Sequence, residues 1–318
     1  MNRNRRLIAG ALASAPFAGL ILRAGYVRAQ DKKYRFGFSQ VTTQEPWRVQ
    51  FNKDMRAEAA KHPNVELIIA DGADRTDKQN ADMENFIAQK MDVIFISPKE
   101  SSGLTGVVEK AYKAGIPVFV LDRSVNGDAY TQFIGGDNVL IGKGVGQFIV
   151  KTQGGVGAAK GNIVEVWGGF GAQASHDRHD GMFQSVGKEK GLKLVGQRVD
   201  CDWKQDKAYE YMKTVLRVNP QVDVVFGHND PMAYGAYLAA KDAGVEKKIK
   251  FIGADRLPNE GAVWVEQGIL TATFVYPTPG AEGIRQALKL LSGAKIEKKV
   301  ILPTQGIFAD NAKQFVAH

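Results

Sequence analysis

Beyond residue 30, short apolar runs alternate with stretches in which apolar positions recur three and four residues apart. The runs at 34–39, 65–70, 93–97 and 118–121 are nearly continuous, which is the pattern of strands buried on both faces. Between them Met83, Phe86 and Ile87 follow the spacing of one helical face, as do Val107, Val108, Ala111 and Ala114. The second of these helices is expected to stop at Gly115, with Pro117 just beyond. The cycle then restarts, with strands expected at 162–166, 193–199, 222–227 and 250–253 and helices near 179–190, 204–219 and 231–243. Alternation at this spacing makes right-handed βαβ units and parallel sheets, and two rounds of it predict two α/β lobes. No long Pro/Gly/Ser-rich linker intervenes, so short hinge crossings are expected between the lobes.

The first 29 residues follow another pattern. Arg3, Arg5 and Arg6 precede an apolar run from Leu7 to Leu22, and Val27-Arg28-Ala29 offers a small-residue cleavage site. These are the three parts of an export signal. The run falls short of the ~20 residues of a spanning helix, and no cysteine follows it to carry a lipid. The Arg5-Arg6 pair leaves general and twin-arginine export both open, and the mature protein is expected in a bacterial periplasm. Five arginines and no acid lie in this segment, so the net charge of +8 falls to +3 over the remaining 289 residues. Nucleic-acid binding is therefore disfavoured. An apolar content of 44% in 318 residues excludes disorder, and a single cysteine, Cys201, excludes disulfide scaffolds and cysteine-based metal clusters.

Parallel sheets present ligands to the carboxyl ends of their strands. Polar residues gather at those places: Ser97 after 93–96, Asp122-Arg123 after 118–121, His228-Asn229-Asp230 after 222–227, and Asp255-Arg256 after 250–253. Helix caps and turns account for some of them singly, but not for convergence from two lobes. Catalytic signatures fail. Gly142-Lys143-Gly144 lacks the first glycine and the Ser/Thr of a phosphate loop, and Gly168-Gly169-Phe170-Gly171 lacks the spacing of a dinucleotide fingerprint. His176 and His179 have no third ligand at a sensible spacing, and Cys201 sits between Asp200 and Asp202, which disfavours a thiolate. No cofactor or metal is expected. What remains suits a neutral polyhydroxyl molecule: carboxylates and arginines that grip two hydroxyls at once, an asparagine that donates and accepts, and flat faces from Trp47, Trp167 and Trp203.

Several stretches occur together and in order: Phe38-Ser39-Gln40-Val41, Pro46-Trp47-Arg48, Ile69-Ala70-Asp71-Gly72, 92–98, 116–123, Asp137-Asn138, Asp177-Arg178, 228–232 and Gly253-Ala254-Asp255. In these the chain resembles, over residues 33–311, the periplasmic solute-binding proteins of ribose/galactose-type ABC importers, and among them most of all the galactofuranose-binding branch. The resemblance implies the type I periplasmic binding protein fold, α/β with two doubly wound parallel-sheet lobes joined by three hinge crossings. It places an export signal at 1–29, one lobe at 30–136 plus 277–303, and the other at 137–276 plus 304–318. It also implies ligand contacts from Trp47, Arg48, Ser97, Asp122 and Arg123 in the first lobe and from Arg178, Trp203, Asn229, Asp255 and Tyr276 in the second. Three positions depart from the family: His176 where Arg is common, Tyr276 where Gln is common, and Arg256 where Gly is usual.

The function so implied is reception of a monosaccharide, pentose or hexose and in furanose form in one branch, or of a related polyol. Delivery would be to a membrane permease driven by a cytoplasmic ATPase, by a monomer that performs no chemistry. A receptor for chemotaxis signalling is the alternative, and an exported α/β enzyme a more distant one. The leader yields a first prediction. The periplasmic protein begins at Gln30 and carries no acyl group, and its intact mass decides this: a retained leader or an added lipid mass would contradict it.

Overall fold

The computed structural model describes residues 32–219, 221–257 and 259–316, so the expected export segment and its cleavage site lie outside the described residues. The first half of the chain runs β1 (Tyr34–Gln40), α1 (Pro46–Ala59), β2 (Val65–Asp71), α2 (Thr76–Ala88), β3 (Val93–Ile96), α3 (Ser101–Lys113), β4 (Val118–Leu121) and β5 (Gln132–Gly136). There follow α4 (Asn138–Thr152), β6 (Lys160–Val166), α5 (Gln173–Val186), β7 (Gly191–Val195), α6 (Gln205–Val218), β8 (Val224–Gly227), α7 (Asp230–Asp242) and β9 (Lys250–Ile252). The chain closes with α8 (Gly261–Glu266), β10 (Thr273–Phe274), α9 (Gly280–Leu291), β11 (Lys299–Leu302) and β12 (Gly306–Ile307).

Two parallel sheets result. The first has the order β11-β5-β4-β3-β1-β2 and the second β7-β6-β8-β9, while β10 and β12 form a separate antiparallel pair. Helices cover both faces, and the strands show why. In β3, Val93 and Phe95 join one apolar cluster and Ile94 and Ile96 another; in β4 the division is Phe119 and Leu121 against Val118 and Val120. Successive side chains of a strand point to opposite faces, so a continuous apolar run needs two covered faces. The strand order reverses between β1 and β3 in the first sheet and between β6 and β8 in the second. Each reversal opens a crevice at the strand ends.

Two elements depart from the sequence expectation. The helix expected near 179–190 runs from Gln173 to Val186; its cap residue Ala172 offers no side-chain bond, and its polar first turn hides its start. The strand expected at 193–199 is Gly191–Val195, because Gly196 adopts φ +86° and turns the chain out of the sheet edge. Trp47 lies in the first turn of α1.

The glycines around 142 have a packing role. A Cβ on Gly142 would lie 2.2 Å from the Arg178 carbonyl oxygen, one on Gly146 2.4 Å from that of Met182, and one on Gly181 2.2 Å from that of Val139. Helices α4 and α5 therefore touch backbone to backbone, which fixes the height of Arg178 on α5. Beneath them the second sheet holds one carboxylate between two imidazoles. Glu165 accepts from His179 Nδ1 at 2.8 Å and from His228 Nε2 at 2.9 Å, and His228 Nδ1 accepts from the Gly168 amide at 3.3 Å. This last bond makes Nε2 the protonated nitrogen of a neutral His228. Burial would raise the Glu165 carboxyl, but the bonds from His179 and His228 outweigh it and draw the group down to about 2. His179 is raised in turn by its bond to Glu165, against the opposing effect of its partial burial.

Two predictions follow from this packing. Gly181→Ala inserts a methyl where none fits and should cost about 1–3 kcal/mol, seen as a lowered melting temperature by circular dichroism. A lowered carboxyl stabilises the fold above its unfolded value and loses that contribution as pH falls. Glu165 should accordingly contribute on the order of 3 kcal/mol at neutral pH that disappears between about pH 4.5 and pH 2. Urea midpoints across that range should fall steeply for the native chain and much less for Glu165→Gln. The raised His179 acts oppositely, its contribution being present at low pH and lost as pH rises through its folded value.

Candidate functional site

Both crevices open on one small cavity between the sheets, lined from both sides by charged and aromatic side chains. Its first wall is built on Asp122. β4 ends at Leu121, and Asp122 turns into the left-handed region at φ +67°. Its Oδ2 accepts from Arg48 Nη1 at 2.7 Å and Ser97 Oγ at 2.8 Å, and its Oδ1 accepts from the Tyr276 hydroxyl at 2.8 Å. Ser97 also receives Arg48 Nη1 at 2.8 Å. Burial opposes ionisation of Asp122, but Arg48 and Arg123 overcome it and hold the carboxyl below its ordinary range. The same pairing raises Arg48 despite its burial. Trp47, one residue earlier on α1, donates from Nε1 to the Tyr276 carbonyl at 3.0 Å and stacks on that ring at 5.4 Å.

The second wall rests on α5 and two loops. Arg178, 2% exposed, donates from Nε to Asn138 Oδ1 at 2.9 Å and from Nη1 to the His228 carbonyl, with its guanidinium 4.8 Å from the centre of the Tyr276 ring. Trp203 stands on the backbone of Gly168, where a Cβ would come within 2.6 Å of the indole. The Arg123 guanidinium lies 5.0 Å from the centre of that indole, so first and second lobes meet over the cavity. Asn229 is largely engaged: its Oδ1 caps α7 through the Met232 amide at 2.9 Å and its Nδ2 donates to the Trp203 carbonyl at 3.1 Å.

Asp255 differs from the charged groups above. Only 8% exposed, it lines the cavity, yet among the described residues no donor reaches its carboxylate. Burial raises its carboxyl well above the usual range; the Arg178 charge opposes this, and the Asp230 and Asp122 charges reinforce it. Neighbouring Asp230 faces away from the cavity, accepting from Thr273 Oγ1 at 2.6 Å and the Arg256 amide at 2.8 Å.

Of the ten residues expected from the sequence, the structure brings nine onto the cavity: Trp47, Arg48, Asp122, Arg123, Arg178, Trp203, Asn229, Asp255 and Tyr276. Ser97 stands behind them, bonded to Asp122 and Arg48. Trp167, expected as a platform, is instead buried among His179, His228 and Arg198. Sequence reasoning missed Glu45 and Ala174, which also line the cavity. Glu45 was within reach, since it adjoins Pro46-Trp47 after β1; Ala174 carries no chemical signal. Cys201 is buried, and desolvation followed by the Asp200 charge pushes its thiol up to about 12.

Comparison with known proteins follows the same lines. The model of the periplasmic binding protein domain matches residues 36–295. The galactofuranose-binding protein YtfQ of Escherichia coli K12 is 33% identical over 216 residues, 66% of each chain. The ribose import binding protein RbsB of the same organism is 32% identical over 249 residues, 78% of this chain and 81% of that one. Among solved structures, the fructose-binding periplasmic domain of a hybrid two-component system superposes with a TM-score of 0.84 at 36% identity, covering 88% of this chain and 92% of its own. With the match spanning most of its length and two α/β lobes facing one cleft, the chain belongs to the periplasmic binding protein family.

Proposed function

We propose that the protein is an extracytoplasmic receptor for a monosaccharide or related polyol, and that it delivers this ligand to an ABC importer. The observation that carries the reading is the Asp255 carboxylate, buried on the cavity with no donor among the described residues. A buried carboxylate needs hydrogen-bond donors, and a ligand rich in hydroxyls supplies them without adding charge. Arg178 and Arg123 offer further donors, and the Trp203 and Trp47 rings offer flat faces to C–H edges. Relatives that bind ribose and galactofuranose support the choice of ligand class and of importer. Trp47, Arg48, Asp122, Arg123, Arg178, Trp203, Asn229, Asp255 and Tyr276 would contact the ligand, and Ser97 would act by fixing Asp122.

The two lobes would hinge where the chain passes between them, near 136–137, 276–277 and 303–304, and the mature chain would work in the periplasm as a monomer. A second reading, a receptor for signalling, is favoured by the likeness to a periplasmic domain of a two-component system. Uptake of labelled sugar by a strain lacking the protein separates the two, since a receptor used only for signalling leaves uptake intact.

The ligand itself should emerge from a thermal-shift panel of pentoses, hexoses in both ring forms and polyols, because binding raises the melting point by mass action. Asp255→Ala should then weaken binding of the sugar found by about ten- to a hundredfold, a charge-assisted bond being worth ~1.5–3 kcal/mol. Trp203→Ala should weaken it comparably. Asp122→Ala should do more, lowering the apo melting temperature as well, because it leaves Arg48 buried without its partner at a cost of ~3–5 kcal/mol. Ligand hydroxyls donate to the ionised form of Asp255, so binding should release a proton and affinity should rise with pH until the free protein's Asp255 is fully ionised. Calorimetry in buffers of different ionisation enthalpy reads that proton, and normal binding by Asp255→Ala would refute the site.

A further inference from the structure

We propose that Asp74, Lys99, Asp202 and Lys204 form a charge clasp across the mouth of the cleft, one that sets the population of the closed form and through it ligand affinity. None of the four lines the cavity. The consequence for affinity rests on the sugar-receptor reading; the clasp itself does not.

The four side chains make a closed ring of alternating charge. Lys99 Nζ lies 2.5 Å from Asp74 Oδ1 and 3.0 Å from Asp202 Oδ1. Lys204 Nζ lies 2.9 Å from Asp202 Oδ2 and also pairs with Asp74. Asp74 follows β2 and Lys99 follows β3 in the first lobe, whereas Asp202 and Lys204 precede α6 in the second. Two contacts thus lie within a lobe and survive opening, and two cross the cleft and exist only when it is closed. Each lobe presents one positive and one negative group, so closure docks two neutral pairs head to tail and opening strands no lone charge. Lys207, 3.4 Å from Asp202 Oδ2, is a peripheral fifth member. Side-chain exposures of 16–34% place the ring between a fully screened surface pair and a buried one. The two lysines and the burial of Asp202 act against each other on its carboxyl, and the lysines prevail, drawing it down to about 2.

Each half of the clasp also holds a ligand-facing group. The Lys99 carbonyl accepts from Arg123 Nη1 at 3.2 Å, and the Lys99 amide donates to Gln79 Oε1 at 2.8 Å. Trp203 lies between Asp202 and Lys204 in the chain, with Asp202 and Trp203 both in the left-handed region at φ +50° and +64°. The clasp residues are therefore positioning residues for the Arg123–Trp203 contact over the cavity.

A ligand-independent reporter is built into the same rim. The Ser101 amide opens α3, where it has no partner within the helix, and it donates across the cleft to the Gly171 carbonyl at 2.9 Å. Its hydrogen exchange reads closure directly. The test compares native protein, Lys99→Asp, Asp202→Lys and the double exchange, measuring Ser101 exchange without ligand and affinity for D-ribose, D-fructose and methyl β-D-galactofuranoside. Each single change should speed Ser101 exchange and weaken the binding sugar about three- to tenfold, and the exchanged pair should recover most of both. Raising NaCl from about 20 to 500 mM should weaken binding of the uncharged sugar by native protein, and should weaken it less once Lys99→Met and Asp202→Asn have removed one of the two pairs that cross the cleft. Those two neutral variants also keep the test valid should a reversed charge disturb folding. Ser101 exchange alike in all proteins, or single losses left unrecovered by the exchange, would overturn the clasp. Absence of binding by any sugar, with Ser101 exchange responding as expected, would instead overturn the sugar reading and leave the clasp standing.

Discussion

Arg48 and Asp122 are both buried, and a charge withdrawn from water must be met by an opposite charge and by hydrogen bonds or it will not stay ionised. That requirement recruits four separate parts of the chain. α1 supplies Arg48, the end of β3 supplies Ser97, the end of β4 supplies Asp122, and the crossing segment after β10 supplies the Tyr276 hydroxyl. None of these can shift without leaving a polar group unpaired in the interior. The wall of the cleft and the junction at Tyr276 are consequently one construction. The ring of Tyr276 lies against Gly136, where a Cβ would come within 2.5 Å, so even the backbone at the neighbouring crossing is shaped to the same side chain.

The second lobe solves the same problem by other means. Its arginine has no facing carboxylate bonded to it. Arg178 is held by an amide oxygen, a backbone carbonyl and an aromatic ring, and the helix that bears it is set by glycine-to-backbone contact with α4. Behind it, the His179–Glu165–His228 chain locks the side chain of His228, the residue whose backbone carbonyl accepts from Arg178. One wall is thus ordered by a direct arginine–carboxylate pair and the other by close packing and an arginine held on uncharged acceptors, which leaves Asp255 as a charged group on the cavity without a protein donor among the described residues.

The sequence made the strands of both sheets legible because burial on two faces demands uninterrupted apolar runs, as in 93–96 and 118–121. The polar residues just beyond those runs, Asp122-Arg123 and Asn229 among them, were legible for the same topological reason. Tyr276 and Arg178 were legible only through resemblance, since neither follows a strand of the main sheets. Trp167 was misplaced because its position after β6 says nothing of which way the indole turns; packing against two histidines and Arg198 decides that. Gly142, which the sequence offered only as part of a failed phosphate loop, belongs with Gly146 to a helix interior, where smallness and not backbone freedom is what matters. The pairing of the rim charges carried no signal, because Lys99 and Asp202, like Asp74 and Lys204, lie far apart in sequence and meet only when the lobes do.

The entanglement of Asp122 bears on how such a receptor changes its ligand over evolutionary time. A substitution at Arg48, Ser97, Asp122 or Tyr276 disturbs every other member of that set at once, so single steps through it pass through unstable intermediates. Asp255, with no protein donor among the described residues, and Arg256 beside it on an irregular loop are free of that coupling. A substitution at Asp255 therefore leaves fewer protein partners unpaired than one at Arg48, Ser97, Asp122 or Tyr276, and the cavity can be reshaped there at the least cost to the fold.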